Sequence, residues 1–440
     1  MGIDDTDSRA GMCTTYLIFP LIDEIREKGL DILGYPRLVR LNPNIPWKTR
    51  GNGAISIRVG KGYGKKIKIG EMNGEELYAY LKGKDVYEMI DIKRISKYFR
   101  MENEDTQPGV VISPKKLPER IYWQAVRSLT KLEDIKKMLD EVDAKYYQFN
   151  GGRGIIGAAA AIAWRARKYT YELLAYLPED RWFEDRYVDE RSVIEMDRKT
   201  QWTFDNYDYE NRYVAIKPNS RTPVLFGIRG LIPEELMRAR EMVKCDPYSS
   251  WIIYLTNQAT DEHVVRKRIK DVLAYESVKL RGRVIKEPRT IEGGHVIFSI
   301  GDSTGEIDCA AYEPTKKFRE IIKELKIGDE IEVYGGVRKE PFTVNLEKIR
   351  ILKLKKIKVK VENPTCPICG RKMESIGRGK GYRCRRCGIK VGEDAAKYKY
   401  LERKIKEGWY EVPVIARRHL ARPLKLINLE YNAGLPFSQH

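Results

Sequence analysis

The chain has 440 residues, with 82 Lys and Arg against 63 Asp and Glu, a formal net charge of +19, and 42% hydrophobic content. At roughly 150 residues per domain, that length predicts about three domains, each able to bury a core, and the apolar content excludes a disordered chain. Neither a membrane span nor a secretory leader is expected: the longest apolar run, residues 155–164, reaches about half of the roughly 20 residues a bilayer requires.

The chain opens with Gly2-Ile3-Asp4-Asp5-Thr6-Asp7-Ser8, then Gly11-Met12-Cys13-Thr14-Thr15 and an apolar helical run to Lys28. Three carboxylates within four residues repel one another unless a cation sits among them, and hard oxygens beside hydroxyls suit Mg²⁺ with nucleotide phosphates. An acidic cap before a helix is the competing reading, because Asp and Ser also stabilise helix N-termini. A second segment, Trp47-Lys48-Thr49-Arg50-Gly51-Asn52-Gly53, sets two cations, Lys48 and Arg50, beside the turn residues Gly51 and Asn52, a pattern suited to a polyphosphate. Ordinary turn glycines are the alternative.

Residues 144–260 read as strand 144–149, helix 155–167, strands 170–177 and 212–217, helix 233–244 and strand 251–257. That βαββαβ order predicts a ferredoxin-like α/β sandwich with a long insertion around residues 178–211. Asn150-Gly151-Gly152-Arg153-Gly154 leads straight into the first of these helices, so Gly152, Arg153 and Gly154 are candidate phosphate contacts through turn amides, the helix terminus and a guanidinium. Gly152-x-Gly154-x-x-Gly157 also has dinucleotide-binding spacing, but no run of repeated βα units follows it.

From 276 to 352 the pattern has period two: strands at 278–284, 295–300 and 306–312, a helix at 315–325, then strands at 327–336 and 345–352. Three strands, a helix and two strands is the order of an OB barrel, a frequent oligonucleotide binder. Arg281 and Arg283 are candidate RNA contacts there, although strand parity leaves open whether they face a ligand or solvent. Cys366-x2-Cys369 and Cys384-x2-Cys387 come next, each pair ending in Gly, which predicts a closed tetrahedral Zn²⁺ site of structural rather than catalytic role, with thiol redox chemistry as the alternative. Residues 353–440 hold 22 Lys and Arg against 8 Asp and Glu, a surplus of 14 that leaves 5 for the first 352 residues. Such a surplus points to a polyanion, nucleic acid first, and Arg385 and Arg386 on the ribbon are candidate phosphate contacts; a solvated Lys-rich face is the alternative.

Taken in order, Gly-Ile-Asp-Asp-Thr-Asp-Ser, Gly-Met-Cys-Thr-Thr, Lys-Thr-Arg-Gly-Asn, Gly-Gly-Arg-Gly-Ile-Ile-Gly, Thr-Phe-Asp-Asn-Tyr-Asp, Thr-Asn-Gln-Ala-Thr-Asp-Glu-His, the OB segment, the zinc ribbon and Ala-Arg-Arg-His-Leu-Ala-Arg-Pro resemble, nearly end to end, the archaeal isoleucine-tRNA 2-agmatinylcytidine synthetase family. The resemblance implies an α+β multidomain chain: a mixed α/β, kinase-like, ATP-dependent catalytic domain at 1–143, a ferredoxin-like domain at 144–275, the OB-fold at 276–352, the zinc ribbon at 353–395 and a basic C-terminal tail at 396–440. It departs at the start, because the family carries a lead-in strand before Gly-Ile-Asp-Asp whereas here the motif follows Met1, which bears on the anchoring of Asp4. The implied activity is a ligase that attaches agmatine to C2 of the wobble cytidine of the isoleucine tRNA with a CAU anticodon, so that the base pairs with A instead of G.

The cytosine C2 oxygen is a poor leaving group. In the family ATP is cleaved to AMP and two phosphates, the oxygen is phosphorylated, and agmatine displaces phosphate. Asp4, Asp5 and Asp7 would then hold Mg²⁺, Thr14 matches the position that becomes phosphorylated, and Ser8 and Thr15 join Lys48, Arg50, Gly51, Asn52, Gly152, Arg153 and Gly154 around ATP. Dicationic agmatine calls for carboxylates, with Asp205, Asp208 and Asp261 as candidates, and Arg417, Arg418 and Arg422 are expected on tRNA phosphate. The implied setting is the cytoplasm, with no obligatory protein partner. Another ATP-dependent RNA-modifying enzyme, or a non-catalytic OB and zinc-ribbon RNA-binding adaptor, are the rival readings; the adaptor gives no reason for three Asp beside Thr14.

Overall fold

The computed structural model describes residues 1–8, 11–47, 51–87, 91–101 and 106–433. Its centre is a twelve-stranded mixed sheet in which strand Gly2–Asp4 lies between Gly53–Ser56 and Gly109–Ile112, antiparallel to both. Strands here are covered on both faces, so apolar residues run on without alternating polarity. Ile3, Leu38, Ile55 and Val110 point into one core beneath helix Ile18–Glu27, while their neighbours Val39, Ala54 and Val111 join a second core with helices Arg120–Arg127, Leu132–Asp140 and Gly154–Ala163. Helix Ile18–Glu27 buries Ile18, Phe19, Leu21, Ile22 and Ile25, each worth about 1.5–3 kcal/mol.

The same sheet continues through Arg37–Arg40, which runs parallel to Ser250–Thr256, and on to Thr170–Tyr176 and Val224–Gly230. Two expectations for the ferredoxin-like unit need correction. Lys145–Gln148 pairs with Gly109–Ile112 at the opposite end of the sheet from Thr170–Tyr176. The strand expected at 212–217 is replaced by Val224–Gly230, whose longer apolar run enters the core, whereas only Tyr213–Val214 is extended, in a small ladder with Tyr207–Asp208. The insertion contains helix Glu190–Lys199, started by Asp189, whose carboxylate accepts from the Ser192 amide at 2.7 Å.

The OB barrel closes as expected. Ser277–Thr290 pairs with both Val296–Asp302 and Glu330–Val337, and Thr343–Lys353 joins Gly305–Ala311 to Glu330–Val337. Helix Phe318–Lys323 is shorter than expected because Glu313–Thr315 forms a separate 3-10 turn before it. Lys358–Glu362 and Lys397–Tyr400 form a two-stranded stalk leading to and from the zinc ribbon.

The chain beyond the ribbon is not an appended tail. Gly408–Glu411 adds a strand to the barrel, and the chain then threads between the barrel and the central sheet before helix Leu424–Ala433. Arg403 fastens this return by donating to the fully buried Asp329, with N–O 2.7 Å, and to the Glu324 carbonyl.

Candidate active site

The end of strand Gly2–Asp4 is where the acidic motif leaves the sheet. Asp5 takes a left-handed conformation, φ 56°, tolerable for Asp, and the three carboxylates separate. Asp4 is buried against helix Gly154–Ala163, so closely that a Cβ on Gly157 would lie 1.8 Å from Asp4 Oδ2. Asp5 Oδ2 pairs with the Arg153 guanidinium at 3.0 Å. Asp7 Oδ1 accepts from the Thr14 amide at 2.7 Å. Burial, reinforced by the Asp5 and Asp7 charges, pushes the Asp4 carboxyl well above the usual carboxylate range, while a backbone hydrogen bond from Asp5 and the charge of Arg153 oppose the rise. Among the described residues the three Asp do not converge as a preformed metal cage; the one group whose ligand atoms all lie within 4.8 Å of one another is the four cysteines.

Thr14 opens a 3-10 turn that runs into helix Ile18–Glu27. Its buried Oγ1 accepts from the Thr6 amide at 3.2 Å and the Thr6 hydroxyl at 3.0 Å. Asp4, Asp5, Asp7, Thr14, Asn52 and Arg153 line one cavity of about 310 Å³. Asn52, at φ 48°, is held by donating to the Asn42 carbonyl at 2.8 Å. Apolar side chains make up much of the remaining lining: Leu41, Ala125, Leu132 and Ile156 are joined by Trp47 and Leu129, both more than 40% exposed. The Arg153 guanidinium lies 5.9 Å from the Trp47 ring centre. Charged groups and apolar side chains in one cavity suit a nucleotide, which is charged at one end and has a flat apolar-faced base at the other.

Several expected contacts lie elsewhere. Lys48 and Arg50 fall outside the described residues. Ser8 and Thr15 are buried but do not line the cavity: the Ser8 amide bonds Met12, and the Thr15 carbonyl accepts from Tyr254. Gly51 sits against Arg40 and His419 instead. The amides of Gly152 and Gly154 bond the carbonyls of Phe149 and Gln107, and those of Ile155 and Ile156 also stay within the turn. These amides are therefore already satisfied and form no anion cradle; Gly154 instead lets the helix reach the strand, since a Cβ there would lie 2.4 Å from the Asp4 carbonyl. Gln107, Ser128, Leu129 and Thr130 line the cavity too but belong to no charged motif and were not singled out by sequence.

The proposed agmatine carboxylates and the chain around the tail arginines turn out to meet in one seam, with Arg417 on Asp205 and the other groups on neighbouring partners. Arg417 donates to Asp205 and lies 2.6 Å from Glu411. The Asp208 carboxylate accepts from Asn211 and from the Ile415 amide. Asp261 pairs with Lys348 and accepts from the Arg422 amide at 2.8 Å, and the Arg422 carbonyl in turn accepts from Lys348. Arg418 reaches Asn44 and Glu347. Asp205, Asp208 and Asp261 do not line the cavity, and Arg417, only 8% exposed, is turned inward. The reason is common to all: charges entering a seam between domains must be paired there or leave it. Arg281, Arg283, Arg385 and Arg386 remain exposed, with Arg283 paired to Glu330 and Arg385 to Glu374.

In the ribbon, the Gly370 and Gly388 amides return to the carbonyls of Cys366 and Cys384, which folds each pair into a knuckle. Cys369 and Cys384 sulfurs are 3.6 Å apart, the edge expected of a tetrahedron with Zn–S of about 2.3 Å. Four thiolates with that spacing fit a structural Zn²⁺, as expected from the sequence.

Family models match as "TiaS TCKD domain" over residues 1–151, "TiaS FLD domain" over 152–263, "OB-fold nucleic acid binding domain" over 278–352 and "TiaS C-terminal zinc ribbon domain" over 363–405. The chain is 43% identical to the isoleucine-tRNA 2-agmatinylcytidine synthetase TiaS of Methanocaldococcus jannaschii, covering 98% of this chain and 99% of that one. It is 40% identical to the protein of the same name from Archaeoglobus fulgidus, covering 98% of each. A solved complex of TiaS with isoleucine tRNA and ATP superposes with a TM-score of 0.81 at 39% identity, and one of TiaS with isoleucine tRNA, AMPCPP and agmatine with 0.78 at 36%, each over 96% of both chains.

Proposed function

The chain belongs to the isoleucine-tRNA 2-agmatinylcytidine synthetase family, and from that premise we propose that it spends ATP to join agmatine to C2 of the wobble cytidine of the CAU-anticodon isoleucine tRNA. The observation that carries the reading is the single cavity in which Asp4, Asp5, Asp7, Thr14 and Arg153 meet an apolar wall.

An amine does not displace the C2 oxygen of cytosine unaided, so that oxygen must first be phosphorylated, after which agmatine nitrogen attacks C2 and phosphate departs with the C–O bond electrons. Thr14 is the residue proposed to take and pass on a phosphoryl group. The two Thr6 donors on its Oγ1 stabilise negative charge on that oxygen as its proton leaves. Arg153 would balance charge on the phosphates, and the Trp47 and Leu129 surfaces would take a base. Mg²⁺ characteristically binds through one or two carboxylates plus substrate phosphates, so Asp4, Asp5 and Asp7 need not converge into a full cage to hold it; when bound it would neutralise charge on the transferring group. Asp4, strained by burial as an anion, gains most from such a cation. The C2 carbon is reached only if the cytidine leaves the loop stack, which costs little for an unpaired base.

The exposed Arg281, Arg283, Arg385 and Arg386 are proposed as phosphate contacts on the barrel and ribbon. Among the described residues no helix is long and apolar enough to cross a membrane, and the cytoplasm is the proposed setting. The test is incubation with ATP, agmatine and the isoleucine tRNA transcript, followed by mass analysis of the wobble nucleoside. The adduct at C2 together with AMP is expected; AMP formed with a different RNA or amine would identify another RNA-modifying enzyme.

A further inference from the structure

Strands Val59–Met72 and Glu75–Asp85 form a long hairpin that no part of the proposed mechanism uses. Its far turn is tied to the central sheet, with Met72 opposite Ser250 and the Asn73 amide on the Ser249 carbonyl. Between 60–67 on one strand and 78–84 on the other the residues include Lys61, Lys65, Lys66, Lys82 and Lys84 and no acid. The register sets Lys61 opposite Lys84, Gly62 opposite Gly83 and Tyr63 opposite Lys82. Directly opposed residues share a face, so Lys61, Tyr63, Lys82 and Lys84 stand together on one side.

The other side is closed. A Cβ on Gly62 would lie 2.1 Å from the Tyr80 ring, and one on Gly83 would lie 2.3 Å from Leu33, so these glycines make room for packed side chains beneath. The outer face stays exposed, Tyr63 at 59%. Lys61 donates to the Gly29 carbonyl, and Lys66 stands 4.8 Å from the Tyr80 ring centre. Like charges directly across a ladder destabilise it, and the bond from Lys61 to Gly29 does not call for a second lysine, Lys84, opposite it. Lysines spaced along a ribbon with an exposed aromatic between them are, by contrast, the parts that hold a nucleic acid strand: cations on phosphates and a ring for a base or sugar.

We propose that this Lys–Tyr face grips the sugar-phosphate backbone of the tRNA, as a hold carried by the catalytic domain itself. The inference rests on the reading that tRNA is the substrate. It is tested by equilibrium binding of the isoleucine tRNA transcript across a NaCl series, for wild type, Lys82→Gln/Lys84→Gln, Lys82→Arg/Lys84→Arg and Tyr63→Ala, with thermal unfolding of each. The Gln pair is expected to weaken binding and reduce the slope of log K against log salt by about one to two, at an unfolding temperature equal to or above wild type. The Arg pair is expected to keep the wild-type slope, and Tyr63→Ala to lose affinity with its slope unchanged. A Gln pair with wild-type affinity and slope, or an Arg pair as weak as the Gln pair, would overturn the hairpin proposal while the wild type still binds. A wild type that does not bind the transcript would overturn the functional reading along with it.

Discussion

At the scale of residues, the site depends on contacts too close for any side chain. Gly157 is the sharpest case, because an added Cβ must displace the Asp4 carboxylate. Gly157→Ala is expected to lower kcat/KM for agmatine transfer by about 100-fold or more, as a displacement of the order of 1 Å at a reacting group does, and steady-state kinetics checks it. Its role was legible only as a spacing: Gly157 completes a Gly-x-Gly-x-x-Gly whose dinucleotide-binding reading fails for want of repeated βα units, and nothing local in the sequence points that close approach at Asp4. Glu347 is a buried carboxyl set against His263. Burial alone would raise its carboxyl, but the hydrogen bond and charge of His263, with Arg418 and Lys348, bring it down to about 2. A depressed carboxyl stabilises the fold above its ordinary value near 4.5 and loses that contribution as pH falls toward 2. Thermal unfolding between pH 5 and about 2 should therefore fall more steeply for wild type than for Glu347→Gln.

The element that changes the picture most is the C-terminal segment after Glu411. Its Arg417, Arg418 and Arg422 looked like RNA contacts because a cluster of arginines near a chain end usually faces solvent, and composition carries no sign of which side a strand of chain turns. The fold sends it through a seam, where the amides of Ala259 and Asp261 bond the carbonyls of His419 and Leu420. Two motifs noticed separately, Thr-Asn-Gln-Ala-Thr-Asp-Glu-His and Ala-Arg-Arg-His-Leu-Ala-Arg-Pro, are thus halves of one staple. Arg417→Ala leaves Asp205 and Glu411 without their cation and is expected to cost about 3–5 kcal/mol in urea unfolding, with the salt slope of tRNA binding unchanged. Arg386→Ala, on the exposed ribbon, is expected to do the reverse: unchanged stability and a salt slope lower by about one.

For the whole molecule, the +19 charge divides differently from its first appearance: part of the C-terminal surplus is taken up inside, on Asp329, Asp205 and Glu347, while a separate basic face stands on the N-terminal hairpin. The barrel and the ribbon were legible because period-two strands and paired Cys-x2-Cys encode local geometry. The twelve-stranded sheet was not, because joining Arg37–Arg40 to Ser250–Thr256 is a pairing across more than 200 residues that no local pattern records. Chelation should unfold the ribbon alone, exposing four thiols to a colorimetric thiol reagent and weakening tRNA binding.

The cavity at the end of strand Gly2–Asp4 is proposed as the place where ATP is spent on the wobble cytidine. Its most direct test is agmatine incorporation into the CAU-anticodon isoleucine tRNA by wild type and by Asp7→Asn, with tRNA affinity measured in parallel. Wild type is expected to yield C2-modified cytidine and Asp7→Asn at least about 100-fold less, at equal tRNA affinity. Wild-type turnover by Asp7→Asn would contradict it.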